Sequence, residues 1–236
     1  MSTLQGGPGS IVTDGLVLYL DAGNYLSYPG SGTTWTDLSS GDSNGTLTNG
    51  PTYSPDNAGS IVFDGVDDYV TLGSSSVFTL GNNFTLNSWV YPTVVGSSFG
   101  DEIFSLSTGA SSPYISYGLE WMHTYKFRFS IGNTSNQFLN YTSTNTYALN
   151  NWYNVVGSYN GSTVVLYING VLQNSTNVST TVKYVNNILT IGAWNYGISP
   201  NNALTGRIPI IQLYNRALTP SEILQNYNST KGRFGL

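Results

Sequence analysis

Residues 152–174, W-Y-N-V-V-G-S-Y-N-G-S-T-V-V-L-Y-I-N-G-V-L-Q-N, decide the fold. Two β-rich runs, Trp152–Tyr159 and Thr163–Ile168, flank Asn160-Gly161-Ser162, and a second Asn-Gly pair follows at Asn169-Gly170. Asn and Gly tolerate positive φ, which tight hairpins demand, so the stretch reads strand, turn, strand, turn, short strand. Within Thr163–Ile168, Val164, Leu166 and Ile168 share one face, while Thr163, Val165 and Tyr167 share the other. Neither face is strongly polar. Both are therefore expected to be covered, as in a central pair of a packed sheet.

Working outward, the same grammar repeats. Asp14-Gly15 leads into a strand at Gly15–Leu20, and Ile61–Leu72 reads as two strands about a turn at Asp64-Gly65. Phe84–Tyr91 alternates, and Ile103–Leu106, Tyr114–Trp121 and Tyr125–Ile131 follow, the last with Tyr125, Phe127, Phe129 and Ile131 facing together. Val178–Tyr184, Ile188–Trp194 and Gly206–Tyr214 complete the strands, while Asp21 to Tyr53 is a long connection anchored by Trp35 and Leu38. Many short strands with turns between them predict an all-β antiparallel sandwich or barrel. One short C-terminal helix is predicted: Thr219 as N-cap, Pro220 at its first position, Glu222 completing a capping box, and Ile223, Leu224 and Tyr227 facing the sheet. No linker divides the chain. The expected layout is an N-terminal arm over 1–13, a sandwich over 14–218, and a helix and tail over 219–236.

Composition narrows the function classes. Charged residues are 8% of the 236, with a net charge of −5 and only seven basic residues, which argues against a nucleic-acid partner. No apolar run approaches the roughly 20 residues of a membrane span, so no membrane partner is expected. Cysteine is absent, which removes disulfides and thiol chemistry. Residues 1–9 have neither a basic nor an apolar segment, so no signal peptide is expected there. A virion protein assembled in a host and released by lysis needs none.

Three motifs carry a family resemblance. Ser60–Val70, S-I-V-F-D-G-V-D-D-Y-V, resembles the F-D-G-x-D-D-Y-V signature of laminin-G-like domains in the concanavalin A-like lectin/glucanase superfamily. Trp152 with Tyr159–Ser162 and Leu166–Gly170 resembles that family's W-x-x-V…Y-D-G-S…L-Y-V-N-G meander, and Tyr214–Leu218 with Ser221–Ile223 resembles its terminal Y-N-R-A-L-s-x-x-E-I. The resemblance implies two curved antiparallel sheets stacked as a single jelly roll. Residues 21–35 and 231–235 resemble most the variants found in marine bacteriophage virion proteins.

That architecture hosts hydrolases, lectins and structural modules. Glucanases of the superfamily carry an E-x-D-x-x-E string, which is missing here. Asp101 and Glu102 are adjacent, Glu120 stands alone, and the single His123 lacks a nucleophile motif, so no enzyme is expected. The resemblance allows a structural calcium, with Asp14, Asp64, Asp67 and Asp68 as possible ligands. However, Pro209 stands where relatives carry an acidic residue, and no other cofactor is expected. Sugar recognition uses aromatic platforms beside polar groups, for which Trp194, Asn195, Tyr196, Tyr114 and Tyr117 are the candidates. Ile11, Val12, Lys231, Arg233 and Phe234 in the two ends are candidate assembly contacts. The expected function is a non-catalytic virion surface protein, a capsid decoration or fibre-type module. It works in a homo-oligomer or multimeric assembly with other virion proteins, and surface glycans are possible partners. The alternative is a carbohydrate-binding module of a larger secreted enzyme or adhesin.

Overall fold

Both Asn-Gly turns close as the sequence requires. Gly161 has φ 86°, and Asn169 and Gly170 take φ 52° and 74°, the left-handed values of a two-residue hairpin. The computed structural model describes residues 9–73, 75–107, 112–184, 188–196 and 199–236, apart from the side chains of 195, 196 and 199–201.

In chain order the first strands are β1 (Leu16–Asp21), β2 (Thr34–Trp35), β3 (Gly45–Thr48), β4 (Thr52–Ser54), β5 (Ser60–Asp64) and β6 (Tyr69–Thr71). The middle strands are β7 (Phe84–Pro92), β8 (Asp101–Ser107), β9 (Ile115–Trp121), β10 (Phe127–Gly132), β11 (Phe138–Thr142) and β12 (Tyr153–Tyr159). The last are β13 (Thr163–Ile168), β14 (Val171–Asn177), β15 (Ile188–Ile191), β16 (Trp194–Tyr196), β17 (Ser199–Asn201) and β18 (Thr205–Tyr214). Helix α1 (Pro220–Thr230) and a 3-10 turn at Lys231–Phe234 follow.

One sheet runs β14-β13-β12-β7-β18-β5-β4 with β1 also on β18, and the other runs β11-β10-β9-β8-β15-β6-β3-β2. Their pairings are antiparallel. The two sheets stack as a sandwich, with the core between them. Leu86, Val155 and Leu166 of the first sheet share that core with Leu119, Phe127 and Phe129 of the second. Gly157 admits the Phe129 ring, since a Cβ there would lie 2.5 Å from it.

Both faces of Thr163–Ile168 are covered, as expected. Val164, Leu166 and Ile168 enter the inter-sheet core, and Tyr167 joins a second apolar cluster on the outside of the first sheet. That cluster explains the fate of the two ends. Tyr19, Trp89, Trp152, Ile210 and Tyr214 form an apolar outer face, and Ile11, Val12, Ile223 and Phe234 cover it. Ile11, Val12 and Phe234, expected as assembly contacts on free ends, are buried in the domain itself. Arg233 is committed too: it donates to Asp21 Oδ1 at 2.6 Å, Gly59 O at 2.6 Å and Asn57 O at 2.8 Å. Lys231 lies over the Tyr227 ring, 5.3 Å from its centroid. The physical reason is the tryptophan-rich outer face, which is too apolar to leave in water.

The helix begins as predicted, with both hydrogen bonds of the capping box in place. Leu224 differs from expectation and is exposed, whereas Asn226 turns inward. Asn226 Oδ1 accepts from the Val12 amide at 2.8 Å, and its Nδ2 donates to the Tyr214 hydroxyl at 2.9 Å. The connection from Asp21 to Tyr53 contains β2, β3 and β4; Trp35 is fully buried there, and Leu38 is half-buried. Val178–Tyr184 makes one isolated bridge, Asn133 with Val182, in place of the expected strand. Pro209 sits where the β18–β7 register shifts between Arg207 and Ile210, a position that tolerates its missing N–H.

Candidate functional site

Alternation puts one set of β8, β9 and β10 side chains into the core and the other on the outside of the second sheet. Tyr117, Leu119 and Trp121 point inward, so Ser116, Gly118 and Glu120 point out. Phe127, Phe129 and Ile131 point inward, so Arg128 and Ser130 point out. The register sets Arg128 opposite Glu120 and Ser130 opposite Gly118. On β8 an irregularity between Glu102 and Phe104 places Glu102 opposite Glu120 and Ser105 opposite Gly118. The result is a polar stripe, and it is buried: Glu102 is 4% exposed, Glu120 1%, Ser105 and Ser130 0%. Gly118 leaves the stripe open, because a Cβ there would lie 2.9 Å from Ser105 Cβ and 3.4 Å from Glu102 Oε2.

A cavity of about 600 Å³ lies over this stripe, walled by Phe99, Tyr114, Phe138 and Trp194. Tyr114 has φ 66°, a costly value for an aromatic residue that sites under functional constraint tolerate. Its ring meets Trp194 edge-to-face, with centroids 5.9 Å apart. Trp194 Nε1 donates to Ser107 Oγ at 3.3 Å.

Arg128 is the only guanidinium among the described residues lining the cavity, and its Nε and Nη2 are both engaged. Its Nε donates to Glu120 Oε2 in a close ion pair, its Nη2 donates to Phe99 O at 2.5 Å, and Cζ lies 5.5 Å from the Phe138 centroid. Ser130 Oγ adds a contact of 2.8 Å to Glu120 Oε2. Glu102 Oε2 and Glu120 Oε1 are buried and have no hydrogen-bond partner among the described residues. Burial pushes the Glu102 carboxyl well above the ordinary range, and the Glu120 charge pushes it further, against the pull of Arg128. Burial also raises Glu120, but Arg128 and Ser130 hold it back. The Arg128 ion pair therefore makes Glu120 the better placed of the two to carry charge, and Glu102 the better placed to hold a proton.

Of the sequence candidates, Tyr114 and Trp194 come together on this cavity. Tyr117 does not: it shares the inward parity of Leu119, is fully buried, and donates its hydroxyl to Phe78 O at 3.0 Å. Asn195 and Tyr196 lie in β16, but their side chains fall outside the described residues. Glu102, Glu120, Arg128, Phe99 and Phe138 were missed as a group. The available signal was S-x-G-x-E over 116–120 and R-x-S over 128–130, polar rows opposite aromatic ones.

Asp64, Asp67 and Asp68 lie together, their carboxylate oxygens within 4.8 Å of one another. Asp14 is elsewhere, paired with Arg216 at 2.7 Å. The Asp64 and Asp68 carboxylates also serve the turn itself. Asp64 Oδ1 accepts from the Val66 amide at 2.8 Å, and Asp68 Oδ2 accepts from the Asp64 amide at 3.1 Å.

A sequence profile described as the concanavalin A-like lectin/glucanases superfamily matches residues 64–224. The chain belongs to that superfamily. Similar solved structures include domain 4 of a GH43 extracellular arabinanase from Geobacillus stearothermophilus, in complex with arabinotriose. It is 19% identical, with a TM-score of 0.67, covering 92% of this chain and all of that one (100%). The binding domain of Paraclostridial Mosquitocidal Protein 1 is 14% identical with a TM-score of 0.69, covering 91% of this chain and 52% of that one. Trypanosoma rangeli sialidase, in complex with 2,3-difluorosialic acid, is 17% identical with a TM-score of 0.70, covering 95% and 34%. This superfamily chain thus spans about half of the toxin domain and a third of the sialidase. No curated protein matches it by sequence.

Proposed function

We propose that the chain is a non-catalytic glycan-binding domain whose ligand enters the cavity over β8, β9 and β10. The observation that carries this reading is the pairing of Trp194 and Tyr114 above a buried hydrogen-bonding floor. A sugar ring offers an apolar face to such rings and hydroxyls to Glu102 and Glu120, the usual composition of a small-ligand site. The arabinotriose and difluorosialic acid complexes named for similar structures add support. Titration calorimetry against a glycan panel tests it. Trp194→Ala and Tyr114→Ala should weaken binding at least about tenfold, the scale of a lost stacking contact, without lowering the melting temperature. Unchanged binding would remove the cavity from the reading.

The non-catalytic part rests on the floor. Glu102 and Glu120 lie side by side on one surface, and Glu120 is tied to Arg128. Turnover of a β-glucan, agar or alginate substrate that disappears in Glu120→Gln would reverse it.

Within this reading the domain belongs to a virion surface, as a capsid decoration or fibre-type module in a multimeric assembly. The motif resemblance at residues 21–35 and 231–235 supports that placement. A second reading, a carbohydrate-binding module of a larger secreted enzyme or adhesin, draws support from the full-length match to the arabinanase domain. Mass spectrometry of purified particles separates the two, because only the virion reading requires the chain there.

A further inference from the structure

We infer that the cavity over β8, β9 and β10 selects a saccharide bearing a free ammonium group, received by Glu102. This rests on the glycan-binding reading and adds the charge class of the ligand.

Charge and unmet hydrogen bonds single out this ligand. Among the described residues, the ionisable side chains lining the cavity are Glu102, Glu120, Arg128 and the Tyr114 phenol, with no Lys or His. Asp101 precedes Glu102 on β8 and is the other acid acting on it. Two carboxyl groups therefore face one guanidinium. Arg128 already serves Glu120 and Phe99 O, so a carboxylate-bearing sugar would meet two acids beside a cation that is already paired. Meanwhile Glu102 Oε2, in a residue 96% buried by its 4% exposure, and Glu120 Oε1 lack partners among the described residues.

A hydroxyl can donate to one of these oxygens. An ammonium carries three donors and a positive charge that can pair with Glu102 once its carboxyl ionises. The walls suit it as well, since Trp194, Tyr114 and Phe138 present ring faces or edges around the same space, and aromatic faces attract cations. The step balances simply. The ammonium enters still protonated, Glu102 gives its proton to the buffer, and a carboxylate–ammonium pair remains.

Calorimetry of the full chain at mildly acidic pH tests this, in two buffers of different ionisation enthalpy. The probes are a fully deacetylated chitosan trisaccharide, its N-acetylated counterpart and sialyllactose. The deacetylated probe should bind about tenfold tighter than the acetylated one, the scale of a buried cation–π and charge contact. Its binding should release protons, and sialyllactose should bind weakest. Glu102→Gln should abolish both the preference for the deacetylated probe and the proton release. Equal or tighter binding of either other probe, or a preference that survives Glu102→Gln, overturns the inference and leaves glycan binding standing. Failure of all three probes, together with a neutral glycan panel, overturns both. If the variant melts early, the wild-type ranking and proton release decide alone.

Discussion

Phe234 stacks on Trp89 with ring centroids 4.2 Å apart and closes the outer face of the first sheet. Trp152 meets the same phenylalanine at 4.8 Å, and Tyr227 lies against the other side of the cluster, 5.8 Å from Trp89. The adjacent Arg233–Asp21 pair, at 2.6 Å, fixes the direction in which the turn reaches the sheet. Phe234→Ala should therefore cost about 3–5 kcal/mol, as for other large-to-small changes in packed cores. Equilibrium denaturation reads this as a lower midpoint at unchanged slope. A midpoint equal to wild type would return residues 231–236 to the role of a free tail.

The contrast between the two ends and the central meander shows what the sequence could convey. Val164, Leu166 and Ile168 declare their face by period two, and the flanking Asn-Gly pairs fix their register, so both were legible. Ile11, Val12 and Phe234 lie in short polar surroundings with no period to read. Only the outer tryptophans, distant in sequence, make their burial necessary. The site divided in the same way. Tyr114 and Trp194 could be named as aromatic candidates, but Glu102 meets Glu120 only through the register irregularity in β8, which alternation alone does not foresee.

The helix cap was fully legible, and it should carry a pH signature. Arg216 first, then Thr219, lower the Glu222 carboxyl from 4.5 to about 2. A depressed carboxyl contributes stability above its unfolded value, and that contribution is lost as pH falls through the folded one. Glu222→Gln should therefore lower the melting temperature at neutral pH and match wild type near pH 2. Thr219→Ala should cost about 1 kcal/mol as a lost N-cap. A constant offset between Glu222→Gln and wild type across that range would assign the loss to packing.

The Asp64-Asp67-Asp68 turn tests the question of a metal. Burial first, then the charges of Asp64 and Asp67, raise Asp68, while the Asp64 amide opposes them. With its folded value raised, Asp68 costs the folded state stability as pH rises from 3.8 through that folded value. Asp68→Asn should thus raise the melting temperature at neutral pH, and the gain should vanish below the ordinary value of 3.8. Chelation should leave the wild type unmoved, since the Asp64 and Asp68 carboxylates already serve turn amides. A calcium-dependent rise that Asp68→Asn abolishes would make the turn a cation site.

Glu102 should dominate the alkaline side of the stability profile. Its folded value is raised by burial and then by Glu120, so the folded protein holds a proton that the unfolded chain gives up near 4.5. Between those values the unfolded state binds fewer protons, and stability falls as pH rises. Below 4.5 both states are protonated and the group contributes nothing further. Asp101, Asp68 and Glu120 are raised as well, so the wild-type slope alone does not isolate Glu102. The difference from Glu102→Gln does, because the amide keeps the shape and cannot ionise. That variant should equal wild type below the ordinary carboxyl value and exceed it increasingly above, in melting curves taken from mildly acidic to mildly alkaline pH. The arrangement predicts more than the sign: Arg128→Met removes the cation that lowers both acids and should extend the decline to higher pH. A flat difference between wild type and Glu102→Gln would mean that Glu102 ionises freely in the folded protein, and the division of roles between the two glutamates would fall with it.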